Sequence, residues 1–526
     1  MNARPLLLLG FTLALAAAHP DTEPKSEVDS NLQATPSGAK LSVQLTDAET
    51  GEPISGCIRI RSGKAEEWLD LSQQLLARGE RLPQKIRALG WHTLIAETDL
   101  DVPPGPLRIE AFGGLEFDHS TLEVEEETAR VEIPLARLFP ASSQKWVAGN
   151  THLHLRQMTR EQADRYLLDI SRADDLEVVF VSYLERALVD RDYTTNTYTK
   201  EDLKRISTPT LIFGDGEEYR HNFGGGGEGY GHVMFLNLAE RILPASVGPG
   251  ITKGGTDGTA LQPGIEKARA DGATVIWCHN LFGMEDLPNW IKGNIHAQNI
   301  FDGGNRGTYA DTFYRYLNIG LKAPFSTGTD WFTYDFSRAY VKANDLSVES
   351  WLKALREGRS IITNGPWIEL EVNSQSPGDV IDLKKPGEVE ITARAVGRHD
   401  FGALEIVVGG RVLKSAPAEA RKAGGFEASI DGFQQLLNEP AWIAARIQPD
   451  AEIRNEMDQP LFAHTSPVYV QMNGAGVFDP AVAAEIRAEI EESRNRISEN
   501  GTFADDEDRQ RVLQVYTEAL QTLDNR

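Results

Sequence analysis

The chain has 526 residues, which is too long for one hydrophobic core, so we expect several packed domains. Its formal net charge is -25 and its sequence has no long run of lysine or arginine, which argues against nucleic-acid binding. The two cysteines, Cys57 and Cys278, fall in different predicted domains and do not indicate a disulfide framework.

The N-terminal residues 1–18 have the pattern of a secretory signal peptide. Arg4 precedes an apolar run over residues 6–18 that ends in three alanines. We therefore expect export to the periplasm or the cell exterior, and no integral membrane span after cleavage. The alternative is an uncleaved segment that anchors the chain. Residues 19–40 are rich in proline, serine and acidic residues without apolar periodicity, which predicts a flexible linker.

A β-sandwich is predicted over residues 41–140. Residues 41–45 and 57–61 alternate apolar and polar side chains on either side of a turn at residues 49–53, which predicts a hairpin. Further strands are predicted at residues 106–112, 120–124 and 129–135.

Residues 141–366 alternate short apolar runs with amphipathic segments. The apolar runs lie at residues 146–148, 177–182, 210–213, 233–236, 274–278, 299–301 and 324–326. Helical patterns lie between several of them, at residues 160–172, 264–271, 310–319 and 348–357. This alternation predicts a parallel sheet or a β/α barrel. In such folds the functional residues lie at the ends of the strands.

The C-terminal part returns to alternating strand patterns, from which we predict a second β-sandwich over residues 367–475. The patterns lie at residues 368–372, 389–393, 404–408, 442–447 and 467–470. Two charge-rich segments with helical spacing follow, one starting at Pro480 and one over residues 505–523, and they predict a helical hairpin over residues 476–526.

Histidines and carboxylates stand at the ends of several predicted strands in the central region. His152 and His154 follow the first apolar run, and at positions i and i+2 of an extended strand their rings project from one face and can share an ion. The other strand ends carry Asp215, Glu217 and Glu218, then His232, His279 and Asp330. Neutral imidazole combined with carboxylate suits zinc, manganese or iron, and a carboxylate can bridge two ions.

These motifs resemble the series found in polymerase-and-histidinol-phosphatase (PHP) metallohydrolases, and the chain looks like the CehA/McbA, or carbaryl-hydrolase-like, branch. The matching motifs are His152-Leu153-His154, Gly216-Glu217-Glu218, Gly231-His232, His279 and Gly328-Thr329-Asp330. Residues 351–359, 363–366, 442–446 and 463–470 also look like that branch. The resemblance runs from about residue 41 onward, although the N-terminal sandwich, taken as carboxypeptidase-regulatory-like, matches more loosely.

The resemblance implies an α/β fold: a distorted PHP-type β/α barrel flanked by two β-sandwiches, with a C-terminal helical hairpin. It also implies a two-part ligand set. One divalent ion, zinc or alternatively manganese or iron, would be held by His152, His154, Glu218 and Asp330. Glu218 would bridge to a second ion held by His232 and His279.

Two positions depart from the family pattern. Ser182-Tyr183-Leu184 stands where the family usually has Thr-Asp-His, and Phe332 stands where a last histidine often follows the aspartate. Neither leucine nor phenylalanine can bind a metal. We therefore expect at most two ions, and one ion remains an alternative.

The function that these residues imply is that of a metal-dependent hydrolase, which activates water to cleave an ester, carbamate, amide or phosphoester bond of a small molecule. Its catalytic residues would be Asp330 and Glu218, with Asp330 either accepting the proton of the attacking water or only binding metal. The alternative is an exported, non-catalytic binding protein on a degenerate PHP barrel, which the losses at Leu184 and Phe332 motivate.

The remaining candidates have bland alternatives. Tyr183 and Glu185 stand where family ligands are missing, and they could contact substrate or be chance replacements. Residues 224–229 contain G-x-G-x-x-G outside a βαβ unit, which predicts a loop and not a phosphate site. His221 and His296 lie near the site in sequence, but a loop or solvent role is the default. Structural hydrogen bonding is the default for the histidines of the β regions, which are His92, His119, His399 and His464.

Three catalytic motifs are missing from the sequence. It contains no G-x-S-x-G, no Walker P-loop and no H-E-x-x-H. Their absence argues against a serine hydrolase, a nucleotidase and a zincin protease, respectively.

Overall fold

The computed structural model describes residues 33–34, 38–63, 65–185, 193–222, 229–250, 255–279, 283–304 and 307–526. The predicted signal peptide, most of the predicted linker and residues 224–228 of the glycine-rich segment lie outside these residues. The described chain is a mixed α/β structure with many sheets and few helices. None of its described helices is both long and apolar enough to cross a membrane.

The N-terminal part contains two four-stranded sheets. Its elements are β1 Gln33–Ala34, β2 Ala39–Asp47, β3 Pro53–Ile54, β4 Gly56–Ser62, β5 Leu69–Asp70, α1 Gln84–Arg87, β6 His92–Leu94, β7 Thr98–Val102, β8 Leu107–Phe112, β9 His119–Val124 and β10 Arg130–Leu135. In one sheet β2 pairs with β10, β3 and β7, and in the other the order is β6-β4-β8-β9. Alternate residues of both sheets, from Leu41 to Leu135, share one apolar core.

The predicted hairpin between residues 41–45 and 57–61 is wrong, although both strands form. β2 pairs with the short strand β3, while β4 pairs with β6 and β8 in the other sheet. The alternating pattern predicts a strand with one buried face, but it does not identify the strand with which it pairs.

The central part holds the predicted strand and helix series. Its elements are β11 Trp146–His154, α2 Arg160–Ala173, β12 Val178–Leu184, α3 Lys200–Ile206, β13 Ile212–His221, β14 Gly231–Leu236, β15 Ser246–Val247, α4 Gln262–Ala270, β16 Thr274–Trp277, α5 Asp286–Ile291, β17 Ala297–Asn299, α6 Arg315–Asn318, β18 Phe325–Ser326, β19 Asp330–Trp331, β20 Arg338–Lys342, α7 Val348–Arg356 and β21 Ser360–Thr363. Short 3-10 turns lie at Ser142–Gln144 and Thr194–Thr197, and a π-helical turn, Ala310–Tyr314, leads into α6.

The strand pairing in this part is only partly parallel. β11, β12 and β13 are parallel neighbours, and so are β16, β17 and β18. β14 lies between the two groups and runs antiparallel to both β13 and β16. The prediction of a parallel sheet is therefore wrong at β14. Only residues 222–230 separate it from β13, which is too short for a crossover helix.

The C-terminal part adds a second sheet and extends the central one. Its elements are β22 Trp367–Val372, β23 Val380–Leu383, β24 Gly387–Gly397, β25 Ala403–Val408, β26 Arg411–Pro417, β27 Glu419–Ala420, β28 Phe426–Leu437, β29 Ala441–Ile447, β30 Ala463–Thr465, β31 Val468–Met472, α8 Pro480–Asn500 and α9 Asp506–Asp524. β22, β24, β28 and β27 form a separate sheet. β30 pairs with both β21 and β29, so hydrogen bonding continues from the central strands into the C-terminal ones.

The packing places polar side chains inside the molecule at the strand ends of the central part. Every residue of β11 and of β14 is buried, including the histidines that each strand carries. α2 covers the neighbouring apolar core, and its N-terminus is fixed by a capping box between Thr159 and Gln162. The buried histidines must therefore find polar partners within the protein.

Candidate metal centre

His152 and His154 lie at the end of β11 with both rings fully buried. They are two residues apart on an extended strand, and their Nε2 atoms are 2.9 Å apart. The other ring nitrogen of each histidine is held by an oxygen acceptor. Nδ1 of His152 is 2.8 Å from Oδ2 of Asp302, and Nδ1 of His154 is 3.0 Å from the carbonyl oxygen of Ser182. Because these oxygens only accept, the Nδ1 atoms donate, which leaves the two Nε2 atoms facing each other.

Glu218 and Asp330 complete this first group. Oε2 of Glu218 is 3.0 Å from Nε2 of His154 and 3.6 Å from Nε2 of His152. Oδ1 of Asp330 is 3.4 Å from Nε2 of His152. The four ligand atoms lie within 4.8 Å of one another. Nitrogen and carboxylate oxygen atoms this close together are an arrangement that a shared proton or a metal cation stabilises.

Glu218 also belongs to a second group with His232 and His279. Its other oxygen, Oε1, is 3.0 Å from Nδ1 of His232, whose Nε2 is 3.4 Å from Oδ1 of Asn222. The ligand atoms of Glu218, His232 and His279 again lie within 4.8 Å of one another. The two carboxylate oxygens of Glu218 therefore face different groups, as a bridging ligand requires.

The backbone is strained where two of the candidate ligands leave their strands. His279 has φ of 54° and Asp330 has φ of 60°, in the left-handed region that residues other than glycine rarely adopt. Phe332, with φ of 53°, continues the same segment after Asp330. Such strain persists only when the surrounding structure enforces it, and it is typical of functional sites.

Burial and neighbouring charges shift the pKa values of the clustered groups. Burial opposes a charge on His152, but Asp302 and Asp330 outweigh it and raise the pKa of His152 well above its usual range. Burial, with Glu218 and Asp302 nearby, raises the pKa of Asp330. Burial lowers the pKa of His232 well below its usual range. A divalent cation here would favour ionised Asp330 and neutral imidazoles together, which is the ligand form.

The donor chemistry fits a divalent transition metal. Both groups offer only imidazole nitrogen and carboxylate oxygen, a set that suits zinc, manganese or iron. A third cluster, of His152, Cys278 and Asp302, shares its histidine with the first group. Burial raises the pKa of the Cys278 thiol far above its usual range, so this thiol is protonated without a metal.

The structure brings together all six residues predicted as ligands, and their role in binding metal stays a prediction. Asp302 was not among the predicted residues, although its carboxylate contacts His152 and its carbonyl oxygen is 3.0 Å from Nδ1 of His279. Asp302 follows the predicted strand over residues 299–301, so the reasoning that found Asp330 at a strand end would also have found it. Arg220, two residues after Glu218, was also missed, and its Nη1 is 3.5 Å from Oε1 of Glu218.

The two positions that depart from the family pattern carry buried apolar side chains. Leu184 pairs with Glu218 across β12 and β13, so the two side chains share a face of the sheet. Phe332 packs against Tyr166 of α2, with ring centroids 5.7 Å apart. Tyr183 lies on the other face of β12, where the guanidinium of Arg241 is 4.2 Å from its ring centroid. The structure therefore places Tyr183 away from the candidate metal centre.

The other histidines have structural partners. The expected loop or solvent role of His221 is wrong, because its ring is buried, lies 3.8 Å from the ring of Tyr230 and places Nε2 3.1 Å from Asp257. His296 accepts a hydrogen bond from the backbone of Val275. In the β regions, His92 contacts Gly90 and His119 contacts Asp118, while His399 contacts Glu456 and His464 contacts Tyr314.

Comparisons with known proteins found one distantly similar structure. No protein-family model matches the chain, and no curated protein matches it. One similar solved structure is a two-domain protein from Bacteroides vulgatus ATCC 8482, described as containing a predicted PHP-like metal-dependent phosphoesterase. The similarity covers 62% of this chain and 96% of that chain, with 11% sequence identity and a TM-score of 0.32. At this level it establishes neither the family nor the activity of this chain.

Proposed function

We propose that this protein is an exported metal-dependent hydrolase of the PHP type, in the CehA/McbA branch. The observation that carries the proposal is the convergence of four buried imidazoles on the carboxylates of Glu218 and Asp330. In three of these histidines, the ring nitrogen that faces away from the carboxylates contacts an oxygen acceptor. This arrangement is expected of metal-binding histidines, and it is found in His152, His154 and His279.

The proposed fold is a distorted β/α barrel between two β-sandwiches. Parallel pairing of β11 to β13 and of β16 to β18 supports this description, as do the paired sheets on either side. The candidate ligands come from the ends of five different strand segments, which is how such folds assemble their sites.

His152, His154, Glu218 and Asp330 would hold one divalent ion, and Glu218 with His232 and His279 could hold another. A bound divalent ion lowers the pKa of a water molecule toward neutrality and polarises the oxygen under attack. Oδ1 of Asp330 faces His152 and its Oδ2 is 4.0 Å from Nε2 of His279. Because both oxygens face candidate ligands, this geometry favours ligation over proton transfer as the role of Asp330.

The proposed substrate is a small molecule with an ester, carbamate, amide or phosphoester bond. The formal net charge of -25 disfavours nucleic acid as a partner. Zinc is the metal that we propose first, with manganese and iron as alternatives for the same nitrogen and oxygen donors.

Metal analysis tests the centre directly. Protein purified without chelators is expected to hold about one or two divalent ions per chain by inductively coupled plasma mass spectrometry. The double variant His152→Ala, His154→Ala is expected to hold none, because both Nε2 donors of the first group are lost. The matched control removes two histidines outside the centre, His119→Ala with His399→Ala, and should keep the metal. Wild-type protein without metal would contradict the catalytic account.

A panel of aryl esters, aryl carbamates and aryl phosphates, supplied with zinc or manganese, separates the enzyme from a binding protein. Turnover that disappears in Asp330→Asn supports the hydrolase. Inactivity across the panel, together with thermal shifts on adding ligands, would favour a binding protein on a degenerate barrel. The apolar side chains of Leu184 and Phe332 are the observation that keeps this alternative under test.

A further inference from the structure

Arg220 lies within the candidate metal centre, although it is not one of the six predicted metal ligands. It stands two residues after Glu218 on β13, so both side chains project from the same face of the strand. In the antiparallel register Arg220 lies directly opposite His232 of β14, which places these side chains side by side. The side chain of Arg220 is 5% exposed, so its charge is buried with the ligands.

The guanidinium of Arg220 contacts the oxygen that faces the second group. Its Nη1 is 3.5 Å from Oε1 of Glu218, and Nδ1 of His232 is 3.0 Å from the same oxygen. A second metal ion bridged by Glu218 would use this oxygen. That metal ion would then lie beside the guanidinium of Arg220, which stays protonated at every relevant pH.

The buried charges also match a single divalent ion. Glu218, Asp302 and Asp330 contribute three negative charges, and Arg220 contributes one positive charge. With neutral imidazoles and ionised carboxylates, which is the form that binds a metal, these protein groups together carry a net charge of about -2. One divalent ion neutralises this charge, whereas a second ion would give these groups and the two ions a net charge of about +2 in the interior.

We propose that Arg220 takes the place of the second metal ion, so that the centre binds one ion through His152, His154, Glu218 and Asp330. Arg220 then supplies a fixed positive charge beside His232 and Oε1 of Glu218. This inference rests on the proposed metal-dependent function and goes further by fixing the ion count and giving Arg220 a role.

The test is the metal content of the full-length protein and its variants, titrated with zinc or manganese and measured by mass spectrometry after dialysis. Wild type is expected to hold about one ion per chain. Arg220→Met removes the charge at similar length and is expected to raise the content to about two, because the second group is freed. Arg220→Lys retains the charge and is expected to hold about one. The matched control is Arg241→Met, since Arg241 lies near Tyr183 on the other face, and it should hold about one.

A second measurement locates the ion and does not depend on the folding of an Arg220 variant. His232→Ala is expected to leave the content at about one, because His232 belongs only to the second group. Two ions in wild type, a content of about one in folded Arg220→Met, or loss of the ion in His232→Ala would each overturn the inference. No metal in wild type would instead overturn the proposed function, so the two failures are distinguishable.

Discussion

Asp302 orients two candidate ligands at once. Its Oδ2 accepts from Nδ1 of His152 and also from Nδ2 of Asn299, at 2.8 Å each. Its carbonyl oxygen accepts from Nδ1 of His279 at 3.0 Å. The carboxylate therefore fixes the tautomer that turns Nε2 of His152 toward Glu218 and Asp330, without being one of the predicted ligands.

We expect Asp302→Asn to weaken metal binding by about 10- to 100-fold, because the amide oxygen can still accept from His152 but carries no charge. Asp302→Ala should weaken it further, since it removes the acceptor as well. Competition with a chromophoric chelator measures the dissociation constants. Asp271→Asn, at an exposed position beyond α4, is the control and should leave the affinity unchanged. An unchanged affinity in Asp302→Ala would show that His152 does not need this partner.

The candidate site could be predicted only where its residues follow a clear strand signal. His152 and His154 could be paired because the strand period puts them on one face. Asp302 also follows a predicted strand, over residues 299–301, but it was missed because it belongs to none of the motifs that carry the resemblance. Arg220 could not be assigned at all, because its place opposite His232 depends on the register between β13 and β14.

At the scale of elements, β30 joins the central strands to the C-terminal ones, and it carries a buried histidine. Nδ1 of His464 donates to the carbonyl oxygen of Thr465 at 2.7 Å, and the hydroxyl of Tyr314 donates to Nε2 at 2.8 Å. Both ring nitrogens are satisfied in the neutral form. Burial lowers the pKa of His464 to about 3, so this ring stays neutral when the unfolded chain would protonate it.

Acid should therefore destabilise the fold through His464. The pKa of His464 is lower in the folded protein, so the unfolded state binds more protons below about pH 6.5. The free energy of unfolding therefore decreases as the pH is lowered. Between about pH 7 and pH 5 this residue contributes a loss of about 2 kcal/mol. Denaturant unfolding of His464→Gln is expected to show a correspondingly smaller loss over that range.

His119 provides a comparison of opposite sign. The hydrogen bond to Asp118 raises the pKa of His119, so this residue adds stability at low pH. His119→Gln should therefore make the acid-induced loss larger. A His464→Gln variant with the same pH dependence as wild type would mean that His464 takes up its proton in the folded state.

The sequence predicts the elements better than their partners. The periodicity that predicted a helix over residues 160–172 is local, as is the capping box at its start, and the helix is observed at Arg160–Ala173. The partners of β2 and the direction of β14 depend on contacts between distant segments. A hydrophobic pattern identifies the buried face of a strand but carries no information on which edge it joins.

At the scale of the whole molecule, a buried arginine connects the N-terminal part to the end of α2 and to the segment that follows Asp330. Arg78 donates to both oxygens of Asp174, with Nη2 2.6 Å from Oδ2, and both side chains are fully buried. Arg78 also donates to the carbonyl oxygens of Thr333 and Asp335. The N-terminal part thus supports the backbone that positions Asp330.

The predicted domain limits follow changes in sequence pattern, and hydrogen bonding crosses one of them. The limit between residues 366 and 367 separates β21 from β30, yet these strands pair at three positions. The change from helix-containing to all-strand sequence does mark where the helices of the central part end. It could not reveal the continuous pairing, since this depends on segments about a hundred residues apart meeting in space.

The Arg78–Asp174 pair predicts a measurable coupling across the molecule. Arg78→Met leaves the Asp174 charge buried without its partner, so the free energy of unfolding should fall by about 3–5 kcal/mol. The double variant Arg78→Met, Asp174→Leu removes both charges and should recover most of that loss, because an apolar pair needs no desolvation of ions. Denaturant unfolding of wild type, Arg78→Met, Asp174→Leu and the double variant gives the coupling energy. Additive losses in the double variant would mean that the two residues act separately. The control is Arg130→Met, at an exposed ion pair with Glu97, which should change the free energy of unfolding little.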